Sequence, residues 1–493
     1  MQDTTQQLNE HEQQRVRRQK LESLQNANAD PFHQTTYTVT YHSKDITENF
    51  DELEGQVVSI AGRIMTKRVM GKASFIDIQD RYGRVQAYVR GTGIGDDAYT
   101  TFTTYDIGDI VGLAGEVFKT KTGEISVRAS EVTLLAKSLQ VLPEKYHGLT
   151  DTEARYRRRY VDLIVNPEIR DTFVKRTQII KAVRAFLDGR NYLEVDTPVL
   201  QIIPGGGNAR PFVTHHNTFD MEMNLRIALE LPLKKLIIGG FERVYELSKC
   251  YRNEGISVRH NPEFIMLELY EAYTDYHGMM ELAESLIRDV CRKILGTTTV
   301  TYGEHVIDFG KPFEKITMVD AVRKYSSVDF NQVKDTNEAR EMAKKHDIHF
   351  ETRHAKGDIL ELFFEKYVEK NLIQPTFLLD YPVEISPLTK RKPDNTDYTE
   401  RFELFVSGRE LANAYSELND PIDQRGRFLA QEAKRAAGDD EAPPLDEDFL
   451  LAMEYGMPPT GGMGIGIERL IMLLTNSASI RDVIFFPTMK PVE

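Results

Sequence analysis

Between Phe241 and Tyr273 the chain alternates with period two on both sides of a polar connection, a pattern that predicts an antiparallel hairpin. In the first run Val244, Glu246, Ser248, Cys250 and Arg252 share a face. In the second run Phe264, Met266, Glu268 and Tyr270 share one face, and Ile265, Leu267 and Leu269 the other. The connection holds Asn253, Glu254, Arg259, His260 and Asn261. Charges on a hairpin ordinarily just face water. Glu268 is different, because it interrupts the apolar run IMLEL, where a buried carboxylate needs a partner or a ligand. An arginine, an aromatic ring, a carboxylate and a phenol on one surface suit an anionic nucleotide held beside a cationic small molecule.

The same reading organises the rest of the chain. Residues 1 to about 30 are rich in Gln, Glu and Arg and predict an exposed helix ending between Asn26 and Pro31. Residues 55–140 alternate apolar and polar positions and are punctuated by glycine turns such as DRYGR. Short strands of this kind predict a small closed sheet, a five-stranded oligonucleotide-binding (OB) barrel. From Ile169 a long amphipathic helix stops at Gly189, followed by a strand ending at Pro198. Helical stretches over 278–295 and 335–370 read as peripheral or inserted pieces. Strands return at FELFVSGRELANAYSEL, then a charged, Pro-containing stretch spans Asp439–Asp448, and GGMGIGIERL passes from strand to helix.

Length and composition narrow the classes. A chain of 493 residues implies two or three domains. No apolar run is long enough to span a bilayer, and no secretory h-region follows Met1. Cys250 and Cys291 are the only cysteines, without CxxC spacing, so neither a disulfide framework nor a structural zinc site is expected, and a reduced cytoplasmic setting follows. The net charge of −14 argues against nucleic acid only globally, since phosphate binding depends on the local field. Basic residues cluster at Arg15, Arg17, Arg18 and Lys20, at Lys67, Arg68 and Lys72, and at Arg155, Arg157, Arg158 and Arg159.

Three further segments carry candidate chemistry. In GMGIGIERL the glycines alternate with Met463, Ile465 and Ile467, as in a strand pressed against a ligand or another backbone, and Arg469 opens the helix. In SGRELANAYSELND, Asn413, Tyr415 and Glu417 share a face by parity, whereas Glu410 joins them only if a bulge re-aims it. Two carboxylates beside a triphosphate are ligands that Mg²⁺ prefers. The loop Gly205, Gly206, Gly207 precedes Arg210 and the adjacent His215 and His216, which cannot both reach one metal from one strand face. Glu230 stands between Leu229 and Leu231, another carboxylate in apolar company.

These residues resemble a known family. RNEGISVRHNPEF, beginning at Arg252, is similar to motif 2 of the class II aminoacyl-tRNA synthetases, GIGIERL to motif 3, and the helix and strand ending at Pro198 to motif 1. PGGGNARPFVTHHN, GGFERVYE, EISPL and TNSASIRDVIFFPTMKP resemble the lysyl-tRNA synthetases of bacterial type in particular. The resemblance implies an α+β chain: a helical extension over 1–50, an OB-fold anticodon-binding barrel over 51–145, and a linker over 146–165. A catalytic domain over 166–493 would follow, built on an antiparallel sheet flanked by helices and carrying a helical insertion. It also implies a homodimer.

The implied activity is lysine–tRNA ligation through an adenylate, with no covalent enzyme intermediate, so catalysis would be positioning and charge stabilisation. By matching positions, Arg252 and Arg469 would be the catalytic arginines on the phosphates, with adenine stacked between Phe264 and Arg469. Glu254, His260, Asn261, Glu410 and Gly466 would complete the ATP site, and Glu410 and Glu417 would hold Mg²⁺; no zinc is expected. Lysine would meet Gly206, Glu230, Glu268, Tyr270, Asn413, Tyr415 and Glu417. In the barrel, Arg63, Phe75 and Gln86 match positions used on the central anticodon base, where stacking plus hydrogen bonds reads single-stranded RNA. The relatives that activate aspartate would need a cation where Glu268 stands, and protein-modifying relatives usually lack the barrel. Leu229, Pro232, Asn224, Leu411 and Ala412 depart from the family pattern, all near the expected amino-acid pocket.

Overall fold

The computed structural model describes residues 2–143, 149, 151–436, 438–439 and 441–491, with the backbone alone over 2–10. The chain forms two compact units, Met1–Thr150 and Asp151–Glu493. Residues 144–145 at the end of the expected barrel domain and 146–148 and 150 of the expected linker lie outside the described residues, as does Asp440 of the charged stretch before Asp448. From Thr152 onward the expected linker is helical, over Thr152–Arg157 and Arg159–Val165. Among the described residues no helix is long and apolar enough to cross a membrane.

The first unit is an OB barrel. Strands β1 (Val57–Met70), β2 (Ala73–Gln79), β3 (Arg84–Arg90), β4 (Ile110–Lys119) and β5 (Ile125–Ala136) close in the order β1-β2-β3-β5-β4. Alternation decides which side chains fill it: Val58, Ile60, Ile76, Ile78, Val85, Ala87, Val111, Leu113 and Val127 are nearly or wholly inaccessible. The helix Gln2–Asn26 precedes the barrel. It is anchored by Arg17, which is buried and donates to the carbonyls of Ile107, Ser138 and Gln140 at 2.8–3.1 Å.

That anchor revises the basic clusters. Lys20 pairs with Asp106 at 2.6 Å, and Lys67 donates to the carbonyls of Phe102, Thr103 and Tyr105 at the end of a short helix. Arg159 is wholly buried against Asp162 at 2.6 Å, and Arg155 reaches the same carboxylate. Much of the positive charge that clusters along the sequence therefore serves packing.

The second unit is built on an eight-stranded sheet. Its strands run in the order Glu314–Thr317, Thr376–Leu379, Arg401–Phe405, Glu410–Ser416, Thr460–Gly466, Glu263–Ala272, Arg243–Tyr251 and Leu193–Glu194. The six inner strands are mutually antiparallel, and each edge strand pairs parallel with its neighbour. One face of the inner strands, with Leu267, Leu269, Phe402, Leu404, Ala414 and Ile465, joins Leu286, Ile287 and Val290 of the helix Tyr276–Leu295 in the main core. The other face keeps the polar side chains and forms the site. The expected hairpin is present, with Glu246 opposite Glu268 and Cys250 opposite Phe264.

Two expectations change in detail. The strand expected up to Pro198 shrinks to Leu193–Glu194, because only Val244 and Tyr245 offer it a partner. The helical stretch 335–370 is two capped helices, Thr336–Lys345 and Lys356–Tyr367, with a separate core around Phe330, Phe363 and Leu360.

Candidate active site

The sheet's polar face lines a cavity of about 510 Å³ in the second unit. Its floor follows from register. Glu268 and Asn413 both pair with Gly464, and Tyr270 and Tyr415 both pair with Gly462. The two glycines thus separate two columns of functional side chains and leave room between them. A Cβ at Gly462 would strike Glu417 Oε1 and the Tyr270 ring. Gly206 has a positive φ of 82°, and a Cβ there would lie 2.9 Å from Glu230. Of the alternating glycines in GGMGIG, Gly462 is therefore a packing requirement of the pocket, whereas a Cβ at Gly464 or Gly466 would meet only ordinary contacts.

At one end the groups expected for ATP gather on the wall. Arg252, Glu254, His260, Asn261 and Phe264 come from the hairpin, and Glu410, Gly466 and Arg469 from across the sheet. The Arg252 guanidinium lies 5.3 Å from the Phe264 ring and donates to the Ile227 carbonyl at 3.4 Å. Arg469 Nη1 donates to both the carbonyl and Oε2 of Glu410, each at 2.8 Å. The Asn261 side-chain oxygen is buried without a hydrogen-bond partner, an open acceptor. Partial desolvation, aided by the Arg469 charge, pushes the His260 pKa below the ordinary histidine value.

Glu410 reaches this wall through the bulge. Leu404 pairs with Ala412 but Phe405 pairs with Glu410, so Leu411 is the extra residue that turns Glu410 toward the face of Asn413. The bulge does not bring Glu410 to Glu417. Glu410 sits with Arg469, whereas Glu417 is buried and paired with Lys234. The carboxylate that feels Glu410 is Glu403, across the strand pair from Asn413. Burial and the Glu410 charge raise Glu403 to a pKa of about 7, while Arg469, working against burial, keeps Glu410 low. Glu403 was not singled out from sequence. It pairs with Arg401 of its own strand at 2.7 Å and meets the Glu410 charge from the neighbouring strand, so only the register reveals that second contact.

The other end is rich in buried carboxylates. Glu268 accepts from the Leu229 backbone N–H at 3.0 Å and from the Tyr270 hydroxyl at 3.1 Å. Burial, reinforced by Glu230, raises its pKa to about 7. Glu230 accepts from the Tyr415 hydroxyl at 2.6 Å and from Lys234 Nζ at 2.6 Å. Burial opposes the Lys234 charge, but Glu230 and Glu417 together raise its pKa above the ordinary lysine value. Lys234 likewise went unremarked in the sequence, where LPLKKL reads as an ordinary helix.

The departures from the family pattern also find places. Leu229 supplies the N–H that holds Glu268, and Asn224 donates to the Ile202 carbonyl at 3.1 Å. Pro232 sits in the first turn of the helix Glu230–Ile238, where it costs no hydrogen bond.

The barrel carries a separate candidate surface. Phe75 is half-exposed and lies 4.9 Å from the Tyr88 ring, which continues to Phe118 at 6.3 Å and then to the Arg128 guanidinium. Gln86 pairs with Asp77, two residues along the strand from Phe75, and accepts from Ser126 Oγ at 3.0 Å. Arg63 donates to the Gly108 carbonyl at 2.6 Å. Tyr88, Phe118 and Arg128 extend the stacking surface beyond the three residues read from sequence.

Comparison with known proteins fits this geometry. Residues 151–490 match the family described as tRNA synthetases class II (D, K and N), and residues 58–135 match an OB-fold nucleic acid binding domain. The lysine–tRNA ligase of Clostridium tetani is 58% identical over 478 residues, covering 96% of this chain and 95% of that protein. That of a Thermoanaerobacter species is 57% identical over 477 residues, covering 97% and 96%, and that of Clostridium acetobutylicum is 57% identical over 478 residues, covering 96% and 93%. The chain belongs to the class II tRNA synthetases of the D, K and N group, within the lysine–tRNA ligase family.

Proposed function

We propose that the chain activates L-lysine with ATP to lysyl-adenylate and pyrophosphate, then transfers the lysyl group to the 3′ end of tRNA(Lys). The observation that carries this reading is one cavity with two unlike ends. Arg252 and Arg469 stand at one, and the buried carboxylates Glu230 and Glu268, with the phenols Tyr270 and Tyr415, at the other. Lysine presents cationic amines to the second end and leaves its own carboxylate facing the first. An aspartate substrate would need a free cation there, and Lys234 is already paired with Glu230 and Glu417.

Arg252 would draw charge from the α-phosphate as the lysine carboxylate attacks in line, and Arg469 would steady the departing pyrophosphate. Glu410, at the arginine end of the cavity, and Glu403, the neighbouring-strand carboxylate that feels its charge, are the oxygen ligands that would hold Mg²⁺. When bound, Mg²⁺ neutralises charge on the triphosphate oxygens. The stacking surface of the barrel would receive the anticodon. A homodimer and a cytoplasmic location complete the proposal, the latter supported by two free, buried cysteines. Lysylation of tRNA(Lys) by the purified protein tests the reading, and absence of any charged tRNA would sink it.

A further inference from the structure

Lys234 is a charged group at the amino-acid end to which neither the motifs nor the expected ligand set gives a role. It lies one helical turn after Glu230 on the helix Glu230–Ile238, so both side chains leave the same face. It is wholly inaccessible to solvent. Its Nζ is 2.6 Å from Glu230 Oε1, touches Glu417 Oε2, and lies 5.5 Å from the centre of the Tyr415 ring. A buried ammonium is tolerated only when paired, and a buried carboxylate likewise. Glu230 and Glu417 come from different elements, a helix and the end of a strand, and repel one another. The Lys234 ammonium between them cancels that repulsion.

The pairing is incomplete in an informative way. Glu417 is 1% exposed, and its second oxygen, Oε1, has no hydrogen-bond partner. That oxygen lies against Gly462, at the glycine floor of the cavity, where any side chain would collide with it. With Glu268 beside them, three carboxylates share this end with one resident cation, so the end stays acidic toward a cationic substrate.

We propose that Lys234 is a positioning residue that clamps Glu230 and Glu417 together and leaves Glu417 Oε1 open for the ammonium of the substrate side chain. This rests on the reading that the cavity binds lysine.

The test uses lysine-dependent pyrophosphate–ATP exchange with the full chain. Lys234→Met, close in shape but uncharged, is expected to raise the KM for lysine at least tenfold while leaving the KM for ATP within about threefold. Lys234→Ala is expected to behave likewise, and n-propylammonium added to it should lower the lysine KM, whereas n-propanol should not. Equal rescue by n-propanol would show that Lys234 only fills space and would overturn the proposal. An unchanged or lowered lysine KM in Lys234→Met would overturn it too, the latter by making Lys234 a competitor of the substrate. Loss of the folded state in both variants would make Lys234 a determinant of the fold and equally reject the clamp. Absence of lysine-dependent exchange in the unaltered protein would instead reject the lysine reading itself.

Discussion

Glu268 shows how one residue can be placed by sequence and tuned by structure. Its position within IMLEL marks it as a carboxylate in apolar surroundings, and the structure holds it between the Leu229 N–H and the Tyr270 hydroxyl. Burial and Glu230 raise its pKa to about 7, so at neutral pH a large share is protonated before substrate arrives. Ammonium binding needs the ionised form. The lysine KM is therefore expected to be flat above about pH 7 and to rise below it, by up to tenfold per pH unit. Initial-rate measurements at several pH values check this, and Glu268→Gln should weaken lysine binding and remove the dependence. A lysine KM that stays constant down to pH 6 would contradict the role.

At the scale of elements, the strand Thr460–Gly466 matters as much as any charged side chain. It pairs with both neighbours, and its glycines leave the space between the Glu268–Tyr270 column and the Asn413–Tyr415 column free of side chains. Gly462→Ala would press a methyl group into Glu417 and Tyr270. Overpacking of this kind costs about 1–3 kcal/mol. Lysine activation is expected to fall at least tenfold while thermal melting stays cooperative, measurable by exchange assay and calorimetry. The barrel offers a contrasting element: Phe75→Ala is expected to raise the tRNA KM roughly 5- to 150-fold, the worth of one stacked base, while sparing lysine activation. Equal loss of both activities would count against recognition by the barrel.

Legibility divides along the same lines. Period-two alternation exposed the hairpin and the barrel strands, because both are half-buried sheets whose faces differ in polarity. It could not expose Glu403 or Lys234. The first depends on which strand lies beside Glu410, and the second on a helix packed against a strand end nearly two hundred residues later in the chain. The bulge at Leu411 was one of two options at sequence level, since parity alone cannot count an inserted residue. Arg17 and Arg159 stood out only as members of basic clusters, because composition cannot distinguish a solvated guanidinium from one capping buried carbonyls or pairing a buried carboxylate.

At the scale of the whole molecule, the chain divides its chemistry between two units with separate cores. The cavity that joins nucleotide and amino-acid groups lies wholly in the second, and the stacking surface wholly in the first. The helix Pro167–Asp188, matched to motif 1, leaves Val174 exposed, and Tyr160 and Phe486 of the same unit are exposed too. The proposed homodimer rests on that motif 1 resemblance. Light scattering is expected to give about twice the 56.5 kDa chain mass, and a monomer mass would contradict that assembly.

The central claim is that one cavity activates lysine, using Arg252 on the phosphate side and the carboxylate end for the amino acid. Pyrophosphate–ATP exchange by the purified chain measures this most directly. The account predicts exchange that depends on lysine, that aspartate and asparagine fail to support, and that Arg252→Ala reduces at least a thousandfold while the protein stays folded. Exchange with another amino acid but not lysine, or near-normal exchange in folded Arg252→Ala, would contradict it.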